Sequence, residues 1–226
     1  MQRNVILTKD GSHTIAIPEI NVTYHSIYGA IQESLHVFIE AGLKGIRPFV
    51  TARCLNILEI GFGTGLNALL TFIESGKTKQ IIHYTAIELF PLEEIEIISL
   101  NYCEQLDRQD LLPTFAQMHK CKWEQDIKLS ETFYIHKTKQ DLQGYKTTDL
   151  QDLIYFDAFA PSSQPEVWTK EIFDKMYSIL NTNGILVTYC SKSDVRKNMV
   201  AAGFEVEKLK GPQGKREMIR GIKNHD

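Results

Sequence analysis

Short apolar runs separated by amphipathic stretches set the pattern of this chain. The apolar runs are LNILEI (55–60), IIHYTAI (81–87), TFYIHK (132–137), LIYF (153–156) and GILVTYC (184–190). Such runs are typical of strands buried within a parallel sheet. Helices are predicted between them, over LNALLTFIESG up to Gly76, over PLEEIEIISLNY from Pro91, and over PEVWTKEIFDKMYSILN. This alternation predicts a doubly wound α/β fold.

The two ends of the chain follow different patterns. After Gly203, FEVEKLKG, a GPQGK turn and REMIRGI predict an antiparallel hairpin that closes a mostly parallel, seven-stranded sheet. Near the start, TKDG predicts a turn between short strands. SIYGAIQESLHVFIEAG then places Ile27, Ile31, Leu35 and Phe38 on one face of a helix. We therefore expect a small N-terminal cap over residues 1–50 and the main domain over residues 51–226.

Composition narrows the class of protein. The 226 residues are 43% hydrophobic and 23% charged, as in ordinary globular proteins. No apolar stretch approaches the roughly 20 residues that span a bilayer, and MQRNVILTKDGSHT is too polar for a signal peptide. The cysteines are too scattered for a metal site or a disulfide framework; they are Cys54, Cys103, Cys121 and Cys190. These features predict a cytoplasmic protein without a metal.

The charge pattern bears on possible partners. A net charge of −3 and a pI near 6.2 give no overall attraction to nucleic acid. The C-terminal stretch is locally basic, however, and could form a phosphate-binding patch or simply a solvated charged face. Its basic residues are Lys192, Arg196, Lys197, Lys208, Lys210, Lys215, Arg216, Arg220 and Lys223.

Three glycines stand where the first strand of the main domain becomes a helix. In LEIGFGTGLN these are Gly61, Gly63 and Gly65. Glycine lets the backbone turn sharply there and approach a ligand closely. A nicotinamide-binding motif has GxGxxG, whereas this chain has GxGxG with leucine at position 66. The spacing favours a nucleoside ligand without a pyrophosphate.

Two carboxylates refine that interpretation. Glu59 would repel a phosphate but could attract a sulfonium or ammonium group. Glu88 ends the second strand, where a carboxylate can accept hydrogen bonds from both ribose hydroxyls. With the glycines and the antiparallel finish, these residues match the S-adenosylmethionine site of Rossmann-like methyltransferases. We assign Asn67, at the end of the motif, to the same site.

Acidic residues also follow the next two strands. Asp141, in KTKQDLQGY, could bind an adenine amino group or could lie exposed in a polar loop. Asp157 follows LIYF and should face the same crevice as Gly61 at the switch point of the sheet. A fixed anion there can orient an amine and stabilise the ammonium that develops as it attacks a methyl donor. The alternative is that Asp157 caps a helix.

Long strings of the sequence carry a resemblance to a known family. They include KDGSHT, YHSIYGAIQESLHVFI, LEIGFGTGLNALLT, YTAIELFPL, DAFAPSSQPEVWT and VRKNMVAAGFEVEKLKGPQGKREMIRG. The chain resembles the tRNA 5-aminomethyl-2-thiouridine methyltransferases, the methyltransferase half of the bifunctional enzyme MnmC and its standalone relatives. The resemblance implies methyl transfer from S-adenosylmethionine to the aminomethyl nitrogen of the wobble uridine in tRNA.

The resemblance also implies roles for individual residues. Asp157 matches the acidic residue regarded as catalytic, although Ala158 replaces the usual glycine after it. Phe159 could stack on a flipped base or belong to the core. Lys215 and Arg216 are candidate phosphate contacts or part of a surface turn. Further candidates in the cap are Tyr24, His25 and Glu33, which could cover the cofactor, His25 alternatively being an ordinary satisfied polar residue.

Other activities stay open on sequence alone. The bifunctional enzymes carry a flavin-dependent oxidoreductase domain, which this chain lacks, so we expect a monofunctional transferase that receives its aminomethyl substrate from other enzymes. Aminopropyl transfer in polyamine synthesis uses the same fold, although a basic patch suits a cationic substrate poorly. A non-catalytic RNA-binding module is a further alternative, against which Asp157 and the intact glycines argue.

Overall fold

The computed structural model describes residues 2–46 and 54–224, and its strands form two sheets, of three and eight strands. The boundary expected between residues 50 and 51 lies outside the described residues. The small sheet contains β1 (Asn4–Leu7), β2 (His13–Ile17) and β3 (Val22–Thr23). The large sheet contains β4 (Cys54–Ile60), β5 (Ile81–Ile87), β6 (Asp126–Ser130), β7 (Phe133–Thr138), β8 (Gln151–Phe156), β9 (Leu180–Thr188), β10 (Glu205–Lys210) and β11 (Glu217–Ile222).

The large sheet has the doubly wound topology that the sequence predicts. Its strand order is β10-β11-β9-β8-β4-β5-β7-β6. Strands β9, β8, β4, β5 and β7 are parallel, whereas β6, β11 and β10 are antiparallel to their neighbours. The fold is therefore the expected doubly wound, mostly parallel α/β fold with an antiparallel C-terminal hairpin.

The sheet has one strand more than the seven expected. The additional strand, β6, pairs with β7 at the edge of the sheet. In its sequence, DIKLS, polar residues alternate with Ile127 and Leu129, as in a strand with one exposed face. Because it contains no continuous apolar run, the pattern used for the buried strands does not detect it.

The helices flank the sheet at most of the predicted places. They are α1 (Ala30–Ser34), which continues as a π-helix over Leu35–Lys44, α2 (Leu66–Thr78), α3 (Glu94–Ile98), α4 (Tyr102–Gln105), α5 (Leu112–Lys120), α6 (Lys170–Ile179) and α7 (Ser193–Ala201). The helix expected from Pro91 begins instead at Glu94, because Glu93 and Glu96 form a capping box there. Ile27 precedes α1 and is half exposed, so it does not belong to the predicted helical face.

The KDGSHT segment caps α1 from a distance. The Ser12 hydroxyl oxygen accepts hydrogen bonds from the N–H groups of residues 30 and 31, at 3.2 and 3.3 Å. The second carboxylate oxygen of Asp10 accepts one from residue 32 at 3.0 Å. These bonds satisfy the first N–H groups of the helix, which have no partner within it. These capping hydrogen bonds thereby fix the position of Glu33, the next residue of α1.

Each face of the large sheet carries its own apolar cluster. Along β4 and β8, Ile57 and Leu153 belong to one cluster, and their neighbours Leu58 and Ile154 belong to the other. This alternation places the two clusters on opposite faces of the sheet. Among the described residues, no helix combines the length and apolar character needed to cross a bilayer.

Candidate functional site

The carboxyl ends of β4 and β8 bring the predicted site residues together. The two strands are parallel neighbours, with Ile60 opposite Phe156. The next residues are therefore adjacent, and the Asp157 N–H donates to the Ile60 carbonyl at 3.0 Å. Because β4 pairs with β5 on its other side, this is the switch point of the sheet, where ligands bind in doubly wound folds.

All three motif glycines have a backbone that favours glycine. Gly61, Gly63 and Gly65 have φ angles of 88, 49 and 72°. A Cβ atom on Gly61 would lie 2.8 Å from the Asp157 carbonyl oxygen, and one on Gly63 would lie 2.9 Å from the Tyr24 ring. Helix α2 begins immediately afterwards, at Leu66. Glycine is thus required by the turn and by the close approach of its neighbours.

Asn67 links two carboxylates beneath this turn. Its amide nitrogen donates to Glu59 Oε1 at 2.9 Å and to Asp157 Oδ2 at 2.8 Å. Both Asn67 and Glu59 are buried. Within the described residues, Glu59 Oε2 and Asn67 Oδ1 have no hydrogen-bond partner. The two amide protons therefore tie together β4, α2 and the residue that follows β8.

Burial perturbs the ionisation of both carboxyl groups. It raises the pKa of Glu59 well above its usual range, and the nearby Asp157 charge adds to this effect. Burial, followed by the Glu33 charge, raises the pKa of Asp157 to about 7, whereas the Asn67 hydrogen bond and Lys215 lower it. The raised pKa of Glu59 favours its protonated form, and Asp157 can both bind and release a proton near neutral pH.

A cavity of about 970 Å³ opens in front of these groups. Its walls include most of the predicted site residues: Tyr24, His25, Gly61, Gly63, Asn67, Glu88, Asp141, Asp157 and Phe159. Other predicted residues do not line it: Glu33, Glu59, Gly65, Lys215 and Arg216. Glu59 is buried behind the cavity wall and is linked to it by the hydrogen bond from Asn67. The expected direct attraction between Glu59 and a cationic ligand therefore does not fit its position.

The two acids expected to bind a nucleoside lie on the cavity wall. Glu88 is half-buried; its Oε2 accepts from the Gly63 N–H and its Oε1 from the Phe90 N–H, each at 2.8 Å. Asp141 is exposed and accepts a hydrogen bond from the Gln143 N–H at 2.8 Å, next to the buried Leu142. The arrangement supplies carboxylate oxygens beside an apolar surface.

Aromatic residues fix the loop after β8. The Tyr24 and Phe159 rings meet edge to face, 5.1 Å apart, and burial raises the pKa of Tyr24 to about 12. Trp168 Nε1 donates to the Phe159 carbonyl at 2.7 Å, and the Tyr189 hydroxyl donates to the Ala158 carbonyl at 2.9 Å. These bonds hold the backbone of residues 158 and 159 beside the cavity.

The helix-cap alternative for Asp157 is not supported. The next α-helix, α6, begins at Lys170, and the side chain of Thr169 caps it by accepting from the Ile172 N–H. Among the described residues, the hydrogen bond to the Asp157 carboxylate comes from Asn67 instead. This carboxylate is thus held at the cavity and not at a helix terminus.

Several residues of the N-terminal cap and the C-terminal hairpin make contacts other than the expected ones. Lys215 Nζ pairs with Glu33 Oε1 at 2.5 Å and lies 3.9 Å from the centre of the Tyr189 ring, so it is not a free phosphate contact. Arg216, in contrast, is exposed. His25 is buried, and desolvation lowers its pKa to about 4, which leaves it neutral. Its Nδ1 lies 3.3 Å from the Thr14 hydroxyl, in agreement with an ordinary satisfied histidine.

Arg3 is a cavity residue that sequence reasoning missed. Its guanidinium donates to the carbonyls of Phe90 and Pro91 at 2.7 and 3.1 Å and pairs with Glu96 at 3.2 Å. These contacts span 87 to 93 positions of sequence, so no local pattern predicts them. The exposed Leu89 and Phe90 also line the cavity, and their apolar character directly after Glu88 was a usable signal.

Comparisons with known proteins agree with this fold. Residues 102–224 match the family model described as S-adenosyl-L-methionine-dependent methyltransferase. Similar sequences include the tRNA 5-methylaminomethyl-2-thiouridine biosynthesis bifunctional protein MnmC of Actinobacillus pleuropneumoniae serotype 5b, at 27% identity over 96% of this chain and 35% of the relative. The protein of the same name from Hydrogenovibrio crunogenus is 30% identical over 75% of this chain and 26% of the relative. The chain thus spans about a third of the length of these curated relatives.

Solved structures give the same architecture. MnmC2 from Aquifex aeolicus has a TM-score of 0.78 at 22% identity, covering 100% of this chain and 71% of that one. Spermidine synthase from Thermotoga maritima has a TM-score of 0.53 at 11% identity, covering 99% of this chain and 72% of that one. At these identities the likeness concerns the fold alone.

Because its pKa is raised on folding, the ionised form of Asp157 destabilises the folded protein, and we expect Asp157→Asn to remove this destabilisation. Folding raises this pKa from 3.8 to about 7, so the unfolded state binds fewer protons between these values and stability falls as pH rises. The variant should match the wild type near pH 4 and be more stable by about 1–3 kcal/mol near pH 8. Urea unfolding across this range measures the difference, with the exposed Asp174→Asn as a matched control. A difference independent of pH would contradict the assignment.

Proposed function

This chain belongs to the S-adenosyl-L-methionine-dependent methyltransferase family, and on that premise we propose that it methylates the aminomethyl nitrogen of 5-aminomethyl-2-thiouridine at the wobble position of tRNA. The names of its relatives, which specify tRNA 5-methylaminomethyl-2-thiouridine biosynthesis, support the choice of tRNA and of this nucleoside. The observation that carries the proposal is the Asp157 carboxylate, which lies on the cavity wall beside the glycine turn and Phe159. The relatives are about three times longer, so the substrate is part of the proposal.

The residues present fit S-adenosylmethionine. The turn brings the backbone of Gly61 and Gly63 to the cavity wall, where a Cβ atom would clash with the Asp157 carbonyl or the Tyr24 ring. Glu88 would accept from the ribose hydroxyls, and Asp141 from the adenine amino group. Asn67 Oδ1, a buried acceptor without a partner among the described residues, would suit the amino group of the methionine moiety. When bound, the cofactor supplies an electrophilic methyl group on a sulfonium.

Asp157 would prepare the acceptor amine. An alkylamine is largely protonated at neutral pH, and the ammonium form has no lone pair with which to attack a methyl group. One N–H proton would pass to the Asp157 carboxylate, leaving a neutral amine as the nucleophile. A pKa of about 7 suits this transfer, because the group is then partly ionised at the working pH. The new N–C bond would leave the positive charge on nitrogen, and Asp157 would release its bound proton to solvent before the next turnover.

The aromatic and basic residues would hold the tRNA. Phe159 is partly exposed on the cavity wall and is steadied by Tyr24, so its ring could stack on a flipped uracil. Much of the C-terminal basic charge is already neutralised, since Lys208 pairs with Glu217 at 2.9 Å and Arg220 with Glu207 at 2.7 Å. Within the described residues, Arg216 has no ion pair and is therefore the better candidate for a phosphate contact.

We expect Glu88→Ala to weaken S-adenosylmethionine binding by roughly 1–3 kcal/mol, through lost charge-assisted hydrogen bonds. Isothermal titration calorimetry measures the affinity. Glu88→Gln should fall between the variant and the wild type, because it keeps an acceptor without the charge. Glu94→Ala, an exposed acid outside the cavity wall, is the control. Tighter binding of NADH than of S-adenosylmethionine would refute the cofactor assignment.

We expect purified enzyme to methylate tRNA bearing 5-aminomethyl-2-thiouridine and to leave 5-carboxymethylaminomethyl-2-thiouridine unchanged. The reason is that the carboxymethylated amine must first lose its carboxymethyl group, and no residue of this site is assigned to that step. Mass spectrometry of the digested nucleosides gives the product. Conversion of the carboxymethylated form without added partners would contradict the proposal, and transfer of an aminopropyl group from decarboxylated S-adenosylmethionine would favour the polyamine alternative.

A further inference from the structure

An ion pair behind the cavity joins the N-terminal cap to the C-terminal hairpin. Lys215, in the turn before β11, contacts Glu33 of α1 at 2.5 Å, and 182 positions of sequence separate them. Glu33 is buried, and its other oxygen accepts from the Ser26 N–H at 2.7 Å. The Lys215 side chain is only 32% exposed. The pair is therefore held on both sides and shielded from solvent, unlike an ordinary surface ion pair.

The turn that carries Lys215 docks on the cap by other contacts as well. The Lys210 carbonyl lies 2.7 Å from His36 Nε2 on the π-helix. Gly214 has a φ of 86° and lies so close to Tyr28 that a Cβ atom would be 2.4 Å from the ring. These contacts hold the hairpin turn against the N-terminal cap and thereby fix the Lys215 ammonium between the cap and the sheet.

The same ammonium reaches the Asp157 loop through Tyr189. It lies 3.9 Å from the centre of the Tyr189 ring, close enough for a cation–π interaction. The Tyr189 hydroxyl in turn donates to the carbonyl of Ala158, the residue after Asp157. A continuous set of contacts thus connects Glu33 and Lys215 to the backbone of the candidate catalytic loop.

We propose that Glu33 and Lys215 are positioning residues, whose ion pair holds the Asp157 loop and balances its charge so that the carboxylate can accept a proton from the acceptor amine. The proposal rests on the proposed function and deepens it. It replaces the expected phosphate contact of Lys215 and the expected cofactor contact of Glu33 with a joint electrostatic role. Neither residue lines the cavity, so neither needs to touch the substrate.

Glu33 and Lys215 have opposite effects on the ionisation of Asp157. Glu33 favours the protonated form of Asp157, whereas Lys215 favours the ionised form. The titratable groups that face Asp157 are Glu33 from α1, Glu59 from β4, Tyr84 from β5, Tyr189 after β9 and Lys215 from the hairpin turn. The pKa values of Glu59, Tyr84 and Tyr189 lie well above their usual ranges, which favours the protonated, neutral form of each group. Glu33 and Lys215 form the ion pair of this set.

The test compares Glu33→Gln, Lys215→Gln and the double variant. Lys215→Gln should move the acid limb of the kcat profile to higher pH by about 0.5–1 unit, and Glu33→Gln should move it to lower pH by a similar amount. The double variant should lie close to the wild type, and Lys215→Arg should restore the wild-type limb because it keeps the cation. Lys77→Gln, which breaks an exposed ion pair of α2, is the control.

A second readout does not depend on turnover. Carboxyl-carbon NMR of labelled protein, with the Asp157 signal identified by its loss in Asp157→Asn, should show opposite displacements of the titration midpoint in the two single variants. If the wild type is inactive on the aminomethyl tRNA, the proposed function fails while this titration still decides the role of the pair. Equal or absent displacements, or an increase in the KM for tRNA alone, would overturn the proposal.

Discussion

One amide group that is shared between the buried Glu59 carboxyl and the half-buried Asp157 carboxyl holds this site together. The side-chain nitrogen of Asn67 donates one hydrogen bond to Glu59 at 2.9 Å and one to Asp157 at 2.8 Å. Burying two neighbouring carboxylates in ionised form would cost several kcal/mol, so the pair is stable only with protons bound or hydrogen bonds supplied. The result is that the pKa of Glu59 lies well above its usual range and the pKa of Asp157 is about 7.

The remainder of the fold supports that arrangement from both ends of the chain. Asp10 and Ser12 cap α1 and so place Glu33, while the hairpin turn delivers Lys215 from the opposite terminus. Tyr189 then holds the loop after β8 by a hydrogen bond to Ala158. The charge and backbone of Asp157 are thus set by elements that share no local sequence. Such outer contacts are commonly what keeps a reactive group in one geometry.

The sequence predicted the parts of this molecule that local patterns encode. The apolar runs gave the buried strands, and strands β4 and β8 placed Gly61 and Asp157 side by side because the carboxyl ends of parallel neighbours meet. The Glu33–Lys215 pair could not be found in this way, since its partners are 182 positions apart and each looked like a separate contact. Strand β6 was missed because its apolar residues alternate with polar ones. Glu59 was misplaced because spacing reveals a strand end but not whether a side chain faces the cavity.

The central claim is that Asp157 takes part in the methyl transfer, and turnover of its variants on aminomethyl-bearing tRNA tests it most directly. Asp157→Ala should lower turnover about 10²-fold or more while S-adenosylmethionine affinity stays within about a few-fold, because the contact matters chiefly in the transition state. Asp157→Asn should retain partial activity, since its amide oxygen can still accept a hydrogen bond. A folded, cofactor-binding Asp157→Ala enzyme with near-normal turnover would contradict the account, because the transfer would then depend on proximity alone.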